Sequence, residues 1–143
     1  MTGFRVRVEV RVSDLDVNGH VTTSAYLQYA DHARWKLLQE AGADVDGLIG
    51  SGFGPVTLET TVRFRRELRL GSEVEVSCRF GWGPGKTGSV TQELHRVADG
   101  ELVAEVSSVG GLLDLRHRKL VADPQRFWRD HLTRPELLGL AAG

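Results

Sequence analysis

The 143-residue sequence predicts an α+β domain: one long helix against a larger antiparallel sheet. Three observations carry that expectation. Apolar residues alternate from Phe4 to Val12, a single stretch from Tyr26 to Ala41 repeats at helical spacing, and alternation resumes from Val56 to Leu115.

The first run places Phe4, Val6, Val8, Val10 and Val12 opposite Arg5, Arg7, Glu9 and Arg11, the pattern of a strand with one buried face. Residues 13–23 are polar, contain Gly19, and read as a loop. Tyr26, Tyr29, Ala30, Ala33, Leu37 and Ala41 then form a helical stripe that Leu27 and Leu38 widen. Thr22, Thr23 or Ser24 supplies its N-cap and Gly42 its stop. Such a helix of about 18 residues is about 27 Å long, matched to strands of about eight or nine residues. Val56, Leu58, Thr60, Val62 and Phe64 make the next strand, with Glu59 on its solvent side. Val74, Val76, Cys78 and Phe80 make another, Thr87 to Val97 a weaker one, and Leu102–Leu115 the last. Gly71-Ser72, Gly81 to Gly85 and Asp99-Gly100 are the turns between them. The expected order is strand, long helix, then a meander of four antiparallel strands. A short helix opening at Pro124 turns Phe127 and Trp128 inward.

Residues 1–143 contain no repeat, linker or low-complexity tract and form one domain, long enough to bury roughly 70% of the unfolded chain's surface. A net charge of −1 gives no general attraction to nucleic acid or an anionic membrane. The lone Cys78 excludes an internal disulfide and a Cys-based zinc site, and its place among Val74, Val76 and Phe80 makes it a core residue. With no signal peptide before Phe4 and no apolar run of about 18 residues, the expected location is cytoplasmic.

The chemistry concentrates in Ser13-Asp14-Leu15-Asp16-Val17-Asn18-Gly19-His20-Val21-Thr22-Thr23, which leaves a strand, turns at Asn18-Gly19 and enters the long helix. A helix start offers unpaired N–H groups and partial positive charge, suited to a developing oxyanion. A carboxylate beside it can attack a thioester carbonyl or take a proton from water. The same residues also suit a turn and a helix cap, so spacing alone leaves both uses open. Asp14-x-Asp16-x-Asn18-Gly19 opens like an EF-hand loop, but Ala25 occupies the position that needs a bidentate Glu, and no metal is expected.

From Ser13 to Trp35 the sequence resembles the signature of the 4-hydroxybenzoyl-CoA thioesterase-like family, with Asp31-His32-Ala33-Arg34 as its acidic-x-Ala-Arg tail. Asp16, Asn18 and His20 also resemble the Asp-x-Asn-x-His element of plant acyl-carrier-protein thioesterases. The likeness continues through Gly54–Phe64, Leu70–Val74 and Gly100–Asp114. It implies a hot-dog fold, in which the sheet wraps the central helix, and a homodimer with a continuous sheet, commonly paired again into a tetramer. It implies active sites at the dimer interface that hydrolyse an acyl thioester of coenzyme A or acyl carrier protein without a resident cofactor. By position, Asp16 resembles the nucleophile or general base, and the backbone N–H near Thr23 the group that polarises the carbonyl. His20 and Asn18 match supporting residues of the carrier-protein branch. The chain departs from the pattern where Thr22-Thr23 replaces the usual Asn-Asn pair.

Coenzyme A also needs a basic or N–H-rich surface for its phosphates. The turn from Gly81 to Thr87 offers Lys86 as phosphate partner, Trp82 as stacking face, and Thr87; Arg63, Arg65, Arg66 and Arg69 form a second basic cluster. Two alternatives stay open: a hot-dog protein that binds acyl thioesters without cleaving them, and an enoyl-thioester hydratase. Retention of Asp16 speaks against the first. Against the second, Gly19 replaces the hydratases' Pro and His20 arrives one residue early.

Overall fold

The computed structural model describes residues 3–141. Its first strand, β1 (Phe4–Glu9), keeps the predicted alternation but stops before Val12. Its partner strand begins at Glu73, opposite Glu9, so no ladder remains for the later residues. Val10 stays buried and donates its N–H to the Ser72 carbonyl at 2.9 Å, while Val12–Asp14 tightens into a 3₁₀ turn that exposes Val12.

The long helix, α1 (Thr23–Glu40), has the expected 18 residues. Thr22 caps it, its Oγ1 accepting from the Ala25 N–H at 3.2 Å. Gly42, at φ +103°, ends it. A Cβ there would also run into Thr133 Oγ1 and come within 2.9 Å of the Thr133 backbone N, so space and backbone conformation both select glycine. Ala25, Tyr26, Tyr29, Ala30, Ala33, Leu37 and Leu38 form the buried stripe. A second helix, α2 (Val45–Ser51), was not expected. It holds Gly47 and Gly50 and buries only Leu48, too little to leave a periodic signal.

The remaining strands are β2 (Phe53–Phe64), β3 (Glu73–Trp82), β4 (Thr87–Arg96), β5 (Leu102–Asp114) and the two-residue β6 (Lys119–Leu120). The sheet order is β1-β3-β4-β5-β2, with β6 beside β5. This corrects the expected four-strand meander: β3, β4 and β5 do follow one another, but β2 pairs with β5 at the opposite edge. Alternation marks which face of a strand is buried and carries no information about its neighbour.

The architecture is the hot-dog arrangement, with α1 packed against the inner face of a curled antiparallel sheet. One half of the core joins Tyr26, Tyr29 and Ala33 to Val74, Val76, Leu94 and Val106. The other half joins Leu37 and Leu38 to Leu112, Trp128 and Leu138. Trp128 comes from α3 (Pro124–His131), which Asp123 caps by accepting from the Arg126 N–H at 3.2 Å.

β2 is left as a 12-residue edge strand with a bulge between Thr57 and Glu59. Leu58 and Phe64 remain about half exposed along it, at 53% and 50%. Glu59 faces solvent as expected.

Candidate active site

Between β1 and α1 the chain closes a small loop on itself. Leu15 and Val21 form an isolated bridge, and the Asp16 N–H donates to the His20 carbonyl at 2.8 Å. Gly19, at φ +77°, makes the turn, as the Asn18-Gly19 pair suggests. The Asp16 carboxylate faces into this turn: its Oδ1 accepts from the N–H of Asn18 at 2.8 Å and of His20 at 3.1 Å. Those two donors, His20 first, hold its pKa below the ordinary aspartate value. Oδ2 has no hydrogen-bond partner among the described residues, and the side chain is exposed. Asp16 is therefore oriented, ionised and half free.

Asp14, two residues earlier, is 3% exposed. Its Oδ2 receives the Tyr29 hydroxyl at 2.6 Å and the Arg11 N–H at 2.9 Å, and Oδ1 receives the Arg11 guanidinium at 3.2 Å. Burial raises its pKa, but the hydrogen bonds, led by Tyr29, outweigh that and leave it lowered. Burial raises the Tyr29 pKa, and the bond to Asp14 adds to the rise. The Asp14 carbonyl also takes the Thr22 N–H at 2.9 Å. Asp14 thus ties the end of the strand, the loop and the helix together. The sequence did not distinguish it from Asp16, because a loop has no period from which burial can be read.

At the start of α1 no acceptor among the described residues takes the Thr23 N–H. His20 is exposed, with Nε2 3.4 Å from Glu67 Oε2, and the Asn18 side chain is exposed. Asp16, Asn18, His20 and Thr23 therefore come from one loop and one helix turn, as expected from their spacing.

Trp82, Lys86 and Thr87 lie elsewhere in the chain. The loop follows Glu9, opposite Glu73 at the start of β3, and Trp82 ends that strand. Ten strand residues put these ends about 30 Å apart. Trp82 is not a free stacking face: its Nε1 donates to the Leu138 carbonyl at 2.7 Å and its ring stacks on Phe80, 6.1 Å between centroids. Lys86 and Thr87 are exposed at the turn and the start of β4.

At the Trp82 end lies a largely apolar cavity of about 90 Å³, lined by Trp35, Leu38, Phe80, Trp82, Val90 and Trp128. A cleft of about 330 Å³ runs between α1 and β2 past Leu27, Gln28 and Asp31. The two meet at Arg34, Thr57 and Ser108, which line both. Arg34 pairs with Asp31 and donates to Thr57 Oγ1 at 3.3 Å. It was legible only as part of a motif tail. Its place beside Ala33 and Leu37 on the helix, a charge next to the buried stripe, was the signal available.

Comparison with known proteins agrees with this architecture. A model of the thioesterase-like superfamily matches residues 10–130. The long-chain acyl-CoA thioesterase FadM of Escherichia coli (strain K12) is 24% identical over 119 residues, covering 83% of this chain and 89% of FadM. The chloroplastic acyl-acyl carrier protein thioesterase ATL3 of Arabidopsis thaliana is 26% identical over 113 residues, 79% of this chain and 60% of that protein. Slr0204 of Synechocystis, a 1,4-dihydroxy-2-naphthoyl-CoA thioesterase, superposes with a TM-score of 0.80 at 19% identity, covering 88% of this chain and 93% of the other. The chain belongs to the thioesterase-like superfamily and is a thioester hydrolase of the hot-dog fold.

Proposed function

We propose that the protein hydrolyses acyl-CoA with Asp16 as the catalytic carboxylate and the Thr23 N–H as oxyanion donor. The observation that carries this is the division of labour in one carboxylate: two backbone N–H groups fix Oδ1, while among the described residues neither Oδ2 nor the Thr23 N–H at the helix start has a hydrogen-bond partner. As general base, Asp16 takes a proton from water as the hydroxide adds to the thioester carbonyl. The Thr23 N–H stabilises the tetrahedral oxyanion, whose collapse expels the thiolate, and the thiolate leaves with the proton. As nucleophile, Asp16 would instead form an anhydride that water opens. A single turnover in ¹⁸O-water separates the routes, because only opening the anhydride can leave label on Asp16. His20 and Asn18 hold the loop through their backbone N–H groups.

The working unit is a homodimer paired along β2, in line with its open edge and exposed Leu58 and Phe64. At one end β2 lies opposite Asp114; at the other, the Phe64 ring meets Tyr26 edge-on at 5.0 Å near the start of α1. Antiparallel pairing sets the Phe64 end of one copy against the Phe53 end of the other. The Asp16 loop of each copy then faces the Trp82 end of its mate. Such pairing would bring residues about 30 Å apart in one chain to one site. The same end carries exposed Lys86, Arg116, Arg118 and Lys119. Leu120 and the Lys86 carbonyl both flank Gly111, so the two turns are neighbours fit for the phosphates of coenzyme A. No further cofactor is needed.

Asp16→Asn tests the assignment. Thiol release from a panel of acyl-CoAs should fall at least ~100-fold with unchanged circular dichroism; near-wild-type turnover in the purified variant removes Asp16 from the chemistry.

A further inference from the structure

Trp128 separates two cavities. On one side lies the 90 Å³ space, which the proposed dimer would set against the partner copy's Asp16 loop. On the other, a space of about 160 Å³ sits between α2 and α3, lined by Ala43, Leu48, Ser51, His131 and Leu132. Trp128 is the one residue that lines both, and it is 5% exposed. Its ring is held edge-on against Phe127 at 5.4 Å between centroids, and Phe127 in turn lies 5.3 Å from Phe53 and stacks on His131. The wall therefore belongs to a braced aromatic row.

We propose that the smaller cavity is the acyl site and that Trp128 is its end wall, restricting this thioesterase to short unbranched acyl groups. The lining has the chemistry of an apolar chain, with the polar side chains of Arg34, Ser89 and Ser108 also on it. Cavities of about 150 Å³ lined by aliphatic and aromatic groups take up benzene; beyond its junction with the cleft at Arg34, Thr57 and Ser108 this space of about 90 Å³ is smaller and suits a few methylenes. Beyond the wall, α2 contains two glycines and leaves only Leu48 buried, so the space behind Trp128 is bounded by a thin, lightly anchored element. Shrinking the indole would join the two spaces into a channel long enough for a longer chain.

The inference rests on the thioesterase reading only for what the cavity holds, and its test does not require turnover. Affinity is measured by calorimetry for a series of S-alkyl-CoA thioethers of increasing length, and kcat/KM for the matching acyl-CoAs. The wild-type protein should gain affinity over the first few carbons and then lose it. Trp128→Phe should move that break outward and Trp128→Ala further. The ratio of kcat/KM for a long to a short chain should rise at least ~10-fold, since one methylene in an apolar pocket is worth that much. Trp128→Ala with Ala43→Phe, which refills the rear space, should restore the short-chain limit. An unchanged length profile in folded Trp128→Phe overturns the proposal, as does failure of the refilled variant to revert. If no acyl-CoA is cleaved but the thioether profile shifts as described, the wall stands and the hydrolytic assignment falls.

Discussion

The carboxylates of Asp14 and Asp16 accept two or more hydrogen bonds each, yet one is enclosed and the other is open on one oxygen, so their substitutions should fail differently. Asp14→Asn removes the charge that Tyr29 and Arg11 bind, at a cost of about 2 kcal/mol for hydrogen bonds to a charged group. Because the Asp14 pKa is lowered in the folded state, its stabilisation is fully present above the unfolded value, near pH 3.9, and is lost as pH falls through the folded value. Denaturant melts should therefore show wild type more stable than Asp14→Asn at neutral pH, with the gap closing only below about pH 4. A gap that instead closed between pH 6 and 8 would mean that another group carries the effect. The Asp-x-Asp spacing was legible in the sequence, and so was the resemblance of Asp16 to the family's nucleophile or general base. What the sequence withheld was the clamp on Asp14, because its partner Tyr29 reads as one more apolar member of the helical stripe.

At the scale of elements, α1 was legible because 18 residues at a period of 3.6 leave a strong stripe and Gly42 marks its stop, while three adjacent hydroxyl residues left the choice of cap open. α2 was not, since a seven-residue helix with one buried side chain has no period to show. Strand faces were legible while strand neighbours were not. The placement of β2 beside β5 is a long-range pairing set by the core and by loop closure. The proposed catalytic use of α1 depends on the Thr23 N–H, which gives a test at this scale. Thr23→Ala keeps that donor and should retain most activity. Thr23→Pro removes it where proline is tolerated at a helix start, and turnover should fall about 100- to 1,000-fold, with circular dichroism confirming that the helix survives. A well-folded, active Thr23→Pro would place the oxyanion contact elsewhere; an inactive Thr23→Ala would give the role to the side chain.

The whole molecule poses the question that no single residue answers. Within one chain the Asp16 loop lies toward the Glu73 end of β3 and the cavity under α3 toward its Trp82 end, and along α1 eleven residues, about 16 Å, separate Thr23 from Arg34 at the cavity. The proposed pairing along β2 would bring each loop to the other copy's cavity, so every site should be assembled from two chains. Light scattering should first show no stable monomer at micromolar concentration. The sharper test mixes two inactive proteins. Asp16→Asn has an open cavity and no catalytic carboxylate; Val90→Trp keeps the carboxylate and fills the cavity from β4, where Val90 is among its lining residues. Each homodimer should be inactive. Refolded or expressed together, half of the dimers are mixed, and in each of these one site joins an intact Asp16 to an open cavity. Activity should recover to about a quarter of wild type, the value that two-fold symmetry and random pairing dictate. If each site lay within one chain, every site in the mixture would carry one of the two lesions, and no activity would return whatever the mixing ratio.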